Sequence, residues 1–323
     1  MISGHLKAAA FGAAIVLLAS GSVVAQTGHR VEREFQGVAG SRRYAVWVPR
    51  DFDSRTERPL VVVLHGCLQN AADIARGTRF DERADEDGFL VLYPEQPAVV
   101  VPAKCWRWYD AAHQSRDSAG EPALLAALTQ KVATDYHVDR TRVYVAGISA
   151  GGAMAVNILA AYPEIFAAGA AHSALPYRAA VGVAHALAAM RTGVIADSVM
   201  PERVLMASGS RREPRPLLVL NGGKDQVVAP RNGDALTRQW TVAVQEWLGQ
   251  PLDSVVVDTT AGGRAARRVS YRASGRTWIE HWTILELGHA WSGGSSSGTY
   301  TDTAGPRATD LMAEFFGLRP RRR

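Results

Sequence analysis

Residues 145–152 of this chain read Val-Ala-Gly-Ile-Ser-Ala-Gly-Gly and place a serine between two glycines in the pattern Gly-x-Ser-x-Gly. The preceding run Arg142–Ala146 is typical of a buried strand, and Ala153–Ala161 is typical of a helix that ends before Pro163. Glycines on both sides relieve the crowding of so sharp a strand-to-helix turn. The pattern predicts that Ser149 is a nucleophile on this turn. A glycine-rich turn with an incidental serine is the simpler alternative, which the flanking strand and helix disfavour.

A serine hydroxyl is a weak nucleophile, so a histidine must serve as its base. His289 is the predicted base, because it lies in a glycine-rich loop directly after the strand-like run Trp282–Leu287. A packed or surface loop histidine is the alternative. We expect His172 to lie near the site without belonging to it, and His185 and His281 to be structural.

An acid must orient the histidine, and Asp225 is the predicted acid. It follows the buried-strand signal Pro216–Leu220 after a short glycine-containing turn, which suits a carboxylate that contacts the outward nitrogen of the imidazole. A turn-forming aspartate is the alternative. The chain order serine, acid, histidine favours the catalytic interpretation. Four other aspartates lack so clear a position at a strand end: Asp234, Asp253, Asp258 and Asp302.

Acyl transfer also needs donors for the oxyanion. The backbone N–H of Ala150, directly after the serine, is one predicted donor. The apolar strand Leu60–Leu64 continues into His65-Gly66-Cys67, which places the Gly66-Cys67 backbone at the same edge of the sheet. We predict the N–H of Cys67 as the second donor, with an ordinary turn as the alternative.

Several stretches together resemble a known family, the secreted esterases of the poly(3-hydroxybutyrate) depolymerase type, which are relatives of feruloyl and acetylxylan esterases. The matching stretches are Leu64–Gln69, Tyr93–Gln96, Cys105–Tyr109, Arg142–Met154, Gly288–Gly294, Tyr300–Asp302 and Gly305-Pro306. The resemblance extends from about Phe35 to Phe316. It implies an α/β-hydrolase fold, a Ser149–Asp225–His289 triad with oxyanion donors at Cys67 and Ala150, and a disulfide between Cys67 and Cys105.

Two segments depart from the family pattern. Residues 179–215 match nothing that we can place, which leaves one wall of the pocket undefined. The acid loop reads Asn221-Gly222-Gly223 where His-Gly is usual, which does little to change the interpretation of Asp225.

The amino terminus predicts export. Residues 1–7 are basic, 8–19 are apolar, and Val23-Val24-Ala25 offers a cleavage site, which indicates a signal peptide over residues 1–25; an uncleaved anchor is the alternative. We therefore expect a secreted protein, extracellular or periplasmic. The chain has 2 cysteines, and an oxidising compartment favours their pairing. Neither belongs to a metal-ligand or Cys-x-x-Cys cluster, so we predict no metal and no cofactor.

Residues 26–323 form one predicted domain. Strand-like runs alternate with helical stretches, which indicates an α/β fold with a mostly parallel central sheet flanked by helices. The clearest predicted helix is Glu121–Tyr136, and the alanine-rich run Ala179–Ala207 suggests a helical cap. The predicted strands are Tyr44–Val48, Leu60–Leu64, Phe89–Tyr93, Arg142–Ala146, Ala167–Ala171, Leu217–Leu220 and Trp282–Leu287.

The formal charge is +5, and arginines cluster at three places in the chain. A mildly basic solvated surface explains this better than nucleic-acid binding, because no nucleic-acid motif accompanies the charge. We expect a monomer that acts on an ester substrate and has no nucleic-acid partner and no stable membrane insertion once the signal is removed.

Tryptophans near the predicted site give the remaining indication of substrate. Trp106, Trp108 and Trp291 could form an apolar wall against an acyl chain, although core packing is the alternative for each. The resemblance implies hydrolysis of short-chain hydroxyalkanoate polyesters or their oligomers. Feruloyl or acetyl esters of plant polysaccharides are the second possibility. A non-catalytic binding protein on the same scaffold is a third, which the complete set of catalytic residue types disfavours.

Overall fold

The computed structural model describes residues 1, 27–116, 120–194, 201–207, 209–210 and 213–318. The predicted signal peptide and the arginine clusters at 211–212 and 319–323 lie outside these ranges, except for Met1. The elements, in chain order, are β1 (His29–Gly37), β2 (Gly40–Val48), β3 (Arg58–Leu64), α1 (Ala71–Thr78), α2 (Phe80–Asp87), β4 (Leu90–Pro94), a 3-10 turn (Ala111–His113), α3 (Glu121–Asp135), β5 (Val138–Ile148), α4 (Ala150–Ala161), β6 (Ala168–His172), α5 (Val183–Thr192), α6 (Glu202–Met206), β7 (Leu217–Gly222), α7 (Arg231–Leu248), β8 (Asp253–Ala261), β9 (Arg264–Ala273), β10 (Arg276–Ile284), β11 (Trp291–Ser292), β12 (Thr301–Asp302) and α8 (Ala308–Phe315).

A large sheet organises the described chain, with strand order β1-β2-β4-β3-β5-β6-β7-β10-β9-β8. In the order of the sheet, the six strands β4, β3, β5, β6, β7 and β10 pair in parallel. Antiparallel strands extend the sheet at both edges. The predicted α/β fold with a mostly parallel sheet is confirmed.

Both faces of the central parallel strands are buried, as a parallel sheet between helices requires. In β3 alternate side chains point to opposite sides, so that Leu60 and Val62 join one hydrophobic core while Val61 and Val63 join the other. The continuous apolar run of this strand follows from burial on both faces.

The predicted helix at Glu121–Tyr136 is observed as α3, and Tyr136 caps it. Pro122 lies in its first turn, where a missing N–H costs nothing, and Leu128 and Val132 are among its fully buried residues. Within the alanine-rich run, the described residues include the helices α5 and α6, so the helical content expected there is present in part.

The carboxy-terminal strands differ from the prediction. The strand expected at Trp282–Leu287 is β10, which spans Arg276–Ile284, and residues 285–287 turn away from the sheet. Strands β8 and β9 were not predicted. Their pairing forms an antiparallel extension in which β8 is largely exposed, so burial imposes no apolar alternation on its sequence.

Candidate active site

Ser149 lies on the turn between β5 and α4. Its backbone φ is 56° and its ψ is −123°, a left-handed conformation that few residues other than glycine adopt. Its backbone N–H donates to the carbonyl oxygen of His172 on the neighbouring strand β6 at 2.9 Å. The tight turn predicted from the sequence is present, and the rest of the sheet holds it in its strained conformation.

The two glycines of the pattern are required by close backbone contacts. A Cβ atom on Gly147 would lie 2.5 Å from the carbonyl carbon of Gly151, and one on Gly151 would lie 2.2 Å from the carbonyl oxygen of Leu64. Neither neighbour can move, because both are backbone atoms of packed elements. The pattern therefore reflects the approach of β3, β5 and α4 around Ser149.

Asp225 and His289 form a hydrogen-bonded pair beyond the carboxyl ends of β7 and β10. Nδ1 of His289 lies 2.8 Å from Oδ2 of Asp225; the Asp225 side chain is fully buried, and that of His289 is partly buried. The other carboxylate oxygen accepts the backbone N–H groups of Val227 and Val228 at 2.9 and 2.8 Å. The contact with Nδ1 leaves Nε2 of His289 on the far side of the ring from the carboxylate.

The environment of Asp225 favours its charged form. Burial raises the pKa of the Asp225 carboxyl. The hydrogen bond and charge of His289 and the N–H groups of Val228 and Val227 lower it, and together they outweigh the effect of burial, so that the pKa lies below its usual value. The carboxylate is thus ionised at neutral pH and can hold a proton on Nδ1 of the imidazole.

Ser149 and His289 line one cavity of about 140 Å³, which we call the His289 cavity. The predicted nucleophile and base thus face the same space, although they are far apart in sequence. The lining residues are Gly66, Cys67, Gln69, Ile148, Ser149, Met190, Val227, His289 and Tyr300.

A second, apolar cavity of about 260 Å³ lies on another side of Ser149 and is bounded by α5, so we call it the α5 cavity. Ser149, Cys67 and Met190 belong to both cavities. The lining residues are Cys67, Val101, Ala103, Cys105, Trp108, Tyr109, Ser149, Ala150, Leu175, Val183, Ala186, Leu187 and Met190. A larger cavity of about 470 Å³ lies near Ala168 and Pro216, where the parallel strands begin, at the opposite edge of the sheet.

Cys67, in the loop after β3, lines both cavities. His65, for which the sequence predicted no role, lies behind this loop. Its Nε2 accepts the N–H of Gln96 at 3.0 Å, so the proton is on Nδ1, which lies 2.7 Å from the carbonyl oxygen of Gly66. In a trans peptide the C=O and N–H groups point in opposite directions. The N–H of Cys67 therefore points away from His65.

Burial keeps His65 neutral. Desolvation lowers its pKa to about 4, although its hydrogen bond with Gly66 acts in the opposite direction. The side chain can therefore serve as a fixed donor to Gly66 at neutral pH.

Gln69 anchors the same loop from the other side. Its Oε1 accepts the N–H of Gly66 at 2.8 Å, and its Nε2 donates to Asp73 at 3.1 Å and to the carbonyl oxygen of Thr299 at 3.0 Å. Thr299 precedes Tyr300, which lines the His289 cavity. One amide thus connects the loop after β3 to the loop that follows His289. The one indication of this role in the sequence is that Gln69 belongs to a stretch that matches the family.

The disulfide between Cys67 and Cys105 is confirmed, with Cα atoms 4.2 Å apart. The N–H of the adjacent Leu68 donates to the carbonyl oxygen of Ala103 at 2.7 Å. The disulfide and this hydrogen bond hold the Cys67 backbone against the segment that lines the α5 cavity.

His172 and His281 occupy the positions expected of them, whereas His185, which was expected to be structural, is exposed. His172 is fully buried near the site, and burial, followed by the charge of His289, lowers its pKa to about 3. His281 is buried with Nε2 2.6 Å from Oδ1 of Asn221, and His185 is exposed on α5. Of the other aspartates considered, Asp258 pairs with Arg267 and Asp302 with Arg264, while Asp253 is exposed and Asp234 lies 4.0 Å from His281.

The tryptophans divide into two groups. Trp108 lines the α5 cavity, whereas Trp106 and Trp291 line neither of the two cavities beside Ser149. The indole of Trp106 is fully buried and donates to the carbonyl oxygen of His65 at 3.1 Å; that of Trp291 stacks on His172 with ring centroids 5.4 Å apart. Trp106 and Trp291 therefore pack in the core and do not form the predicted substrate wall. Their position beside a motif in the sequence did not reveal that they are buried.

Within the described ranges, no three histidine, cysteine, aspartate or glutamate side chains come close enough together to hold a metal ion. No helix in the same ranges has the length and apolarity needed to cross a bilayer.

The sheet order, together with Ser149, Asp225 and His289 beyond the carboxyl ends of its parallel strands, defines an α/β-hydrolase fold. An acetyl xylan esterase from Aspergillus awamori has a similar structure, with a TM-score of 0.71 and 18% identity over 90% of this chain and 100% of that one. The model of the family described as esterase PHB depolymerase matches residues 42–248. The chain belongs to this family of esterases, which confirms the resemblance.

Two relatives illustrate the range of the family. Poly(3-hydroxyalkanoate) depolymerase C of Paucimonas lemoignei is 29% identical over 272 residues, which is 80% of this chain and 63% of the relative. Feruloyl esterase B of Neurospora crassa is 31% identical over 194 residues, which is 58% of this chain and 65% of the relative. The matched regions thus span slightly less than two thirds of each relative.

Proposed function

We propose that this protein is a serine esterase in which Ser149 is the nucleophile, His289 the general base and Asp225 the acid that orients the histidine. The observation that supports this most strongly is the 2.8 Å contact between Asp225 and His289 beside a cavity that Ser149 also lines. The left-handed backbone of Ser149 supports the same assignment, because strain of this kind occurs mostly at functional sites.

In the proposed reaction, Nε2 of His289 takes the proton of the Ser149 hydroxyl while Oγ attacks the ester carbonyl carbon. The bond from that carbon to the alcohol oxygen then breaks, and the alcohol leaves with the proton from His289. Water cleaves the resulting acyl-enzyme by the same sequence of transfers. Asp225 holds Nδ1 protonated and stabilises the imidazolium in both steps.

The N–H groups of Cys67 and Ala150 are the proposed oxyanion donors. Ala150 is the first residue of α4, where an N–H has no partner within the helix and the helix dipole favours negative charge. His65, Gln69 and the disulfide fix the Cys67 peptide before substrate arrives. Fixed donors of this kind stabilise developing charge without reorganisation.

For substrate, we propose short-chain hydroxyalkanoate polyesters or their oligomers. The relative named poly(3-hydroxyalkanoate) depolymerase C supports this choice. An ester bond within an aliphatic chain also needs apolar space on both sides of the scissile bond. Ser149 lies between two such spaces, and no Asp, Glu, Lys or Arg is among the residues described as lining them.

Feruloyl or acetylxylan esters are the second candidate. The relative named feruloyl esterase B supports it, as do the rings of Trp108 and Tyr109, which line the α5 cavity with centroids 5.5 Å apart. Aromatic walls suit a planar aromatic acyl group.

We also propose that the protein is exported, as a single catalytic domain after removal of residues 1–25, and that it acts as a monomer. The apolar amino-terminal run supports export, and so does the Cys67–Cys105 disulfide, because such bonds persist in oxidising compartments.

Hydrolysis of 4-nitrophenyl butyrate tests the enzymatic proposal. We expect turnover by the purified protein and its loss in Ser149→Ala, while Ser173→Ala, a change at a buried serine outside both cavities, retains it. A protein that folds but hydrolyses no ester would support a non-catalytic binding role instead. Comparing the release of 3-hydroxybutyrate from oligomers with the release of ferulate from feruloylated arabinoxylan separates the two substrate classes.

A further inference from the structure

The α5 helix has an apolar face that is directed into a cavity. Val183, Ala186, Leu187 and Met190 follow the spacing i, i+3, i+4, i+7 and all line the α5 cavity. Val183 and Leu187 are 57% and 49% exposed, although the spacing is typical of a core-facing helix. Among the residues that the structure describes, this face therefore has no partner over part of its length, and it borders space that a ligand can fill.

Contacts at both ends hold α5 in place. At its start, the N–H of Gly182 donates to the carbonyl oxygen of Tyr109 at 3.0 Å. At its end, the side chain of Asn232 donates to the carbonyl oxygen of Ala189 at 2.9 Å. The N–H of Ala229 donates to the carbonyl oxygen of Met190 at 2.8 Å. The helix is thus a fixed wall of the cavity.

The two cavities beside Ser149 differ in one chemical respect. The His289 cavity contains the histidine that must protonate the departing alcohol. The α5 cavity is lined by Ala150 and not by His289, and Cys67 lines both cavities. The alcohol oxygen must lie within hydrogen-bond reach of Nε2 of His289 when the carbon–oxygen bond breaks. The alcohol half of the ester therefore extends into the His289 cavity.

The acyl half must take the other direction. In the tetrahedral intermediate the carbonyl carbon carries Oγ of Ser149, the oxyanion, the alcohol oxygen and the acyl chain. The donors fix the oxyanion and His289 fixes the alcohol, so the chain extends toward the space that borders Ala150 and not the histidine. That space, at about 260 Å³, is nearly twice the 140 Å³ of the His289 cavity.

We infer that the α5 cavity binds the acyl half of the ester, that the His289 cavity binds the alcohol half, and that Leu187 and Val183 on α5 determine acyl selectivity. The group that fits is uncharged and apolar, because the lining offers aliphatic and aromatic side chains and no charge. A cavity of about 260 Å³ also has room for a group larger than acetyl. Met190, which lines both cavities, marks the boundary between the two halves. This inference rests on the proposed serine esterase activity.

Two series of esters test the inference. One keeps 4-nitrophenol and lengthens the acyl chain from acetate to octanoate; the other keeps acetate and enlarges the alcohol from ethyl to benzyl. We expect Leu187→Trp to lower the hexanoate-to-acetate ratio of kcat/KM at least tenfold and to leave the ratios within the alcohol series within twofold. Ala188→Trp, at an exposed neighbour outside both cavities, is the matched control and should leave both sets of ratios within twofold.

Two further variants keep the test decisive. Leu187→Ala removes bulk from an exposed position and should shift the preference toward longer acyl chains. Val227→Trp, in the His289 cavity, should alter the alcohol series and spare the ratios of the acyl series. A protein that hydrolyses no ester contradicts the proposed function itself. An active protein in which Leu187→Trp acts on the alcohol series, or behaves like Ala188→Trp, overturns the assignment of the cavities alone.

Discussion

Nδ1 of His65 donates to the carbonyl oxygen of Gly66 across 2.7 Å, and the same peptide carries the N–H of Cys67 on its other side. A buried, neutral histidine thus determines where a backbone donor points. His65 lies behind the loop that carries Cys67, the proposed oxyanion donor, so we regard it as a positioning residue.

We predict that His65→Phe lowers kcat by about 10- to 100-fold with little change in KM. Loss of one oxyanion donor costs about 10²- to 10³-fold in kcat, and a misdirected donor should cost somewhat less. Steady-state kinetics on 4-nitrophenyl butyrate measures this, with His29→Phe on the exposed part of β1 as the control. A purely structural role would instead lower thermal stability and leave kcat of the folded fraction unchanged.

We predict that Asp225→Asn lowers kcat by about 10⁴-fold without unfolding the protein. The Asn oxygen can still accept the N–H groups of Val227 and Val228, but its amide would donate to Nδ1 of His289 and leave the ring proton on Nε2. That tautomer cannot accept the proton of Ser149. Asp258→Asn, at an exposed carboxylate, is the control. Activity within tenfold of the parent would contradict the assigned role of Asp225.

The close contacts of the Ser149 turn predict a large stability effect. Gly151→Ala would place a Cβ 2.2 Å from the carbonyl oxygen of Leu64, so we expect it to lower the free energy of unfolding by at least about 3 kcal/mol. Gly288→Ala, whose Cβ meets no atom within 4 Å, should change it by less than about 1 kcal/mol. Urea denaturation followed by circular dichroism compares the two, and equal effects would contradict this account.

The buried histidine His172 predicts how stability depends on pH. Burial lowers its folded-state pKa to about 3 from an ordinary 6.5, so between these values the unfolded chain binds a proton that the folded chain does not. Stability therefore falls as pH decreases from 6.5. Removing this group in His172→Phe should reduce the slope of unfolding free energy against pH, between pH 4.5 and 5.5, by about 1.4 kcal/mol per pH unit.

Trp291→Phe provides the control for this slope. It changes the ring that stacks on His172 but removes no titrating group, so it should lower stability without changing the pH slope. An unchanged slope in His172→Phe would contradict burial of the neutral imidazole.

The sequence predicted the central parallel sheet and the positions of the chemically important residues because both follow from local patterns. Buried parallel strands are continuous apolar runs, and residues just past their carboxyl ends meet at one edge. Asp225 and His289 were selected by this rule, and Ser149 by the Gly-x-Ser-x-Gly pattern between a strand and a helix. The structure brings Asp225 against His289 and places His289 and Ser149 beside one cavity. Their catalytic roles stay predictions until they are measured.

Other features had no local signal. The local sequence around a tryptophan beside a motif does not show whether the ring lines a pocket, as that of Trp108 does, or packs in the core, as that of Trp291 does. The apolar face of α5 has the pattern of an ordinary core helix, and only the arrangement of the surrounding loops shows that it faces a cavity. The roles of His65 and Gln69 depend on single hydrogen bonds to Gly66, which spacing cannot predict.

Covalent trapping of Ser149 tests the central claim most directly. The purified protein is incubated with an organophosphonate, digested and analysed by mass spectrometry. We predict one phosphonate adduct per chain, on the peptide that contains Ser149, with none in Ser149→Ala and much slower labelling in Asp225→Asn. An adduct on a different residue, or no adduct on a folded protein, would contradict the account.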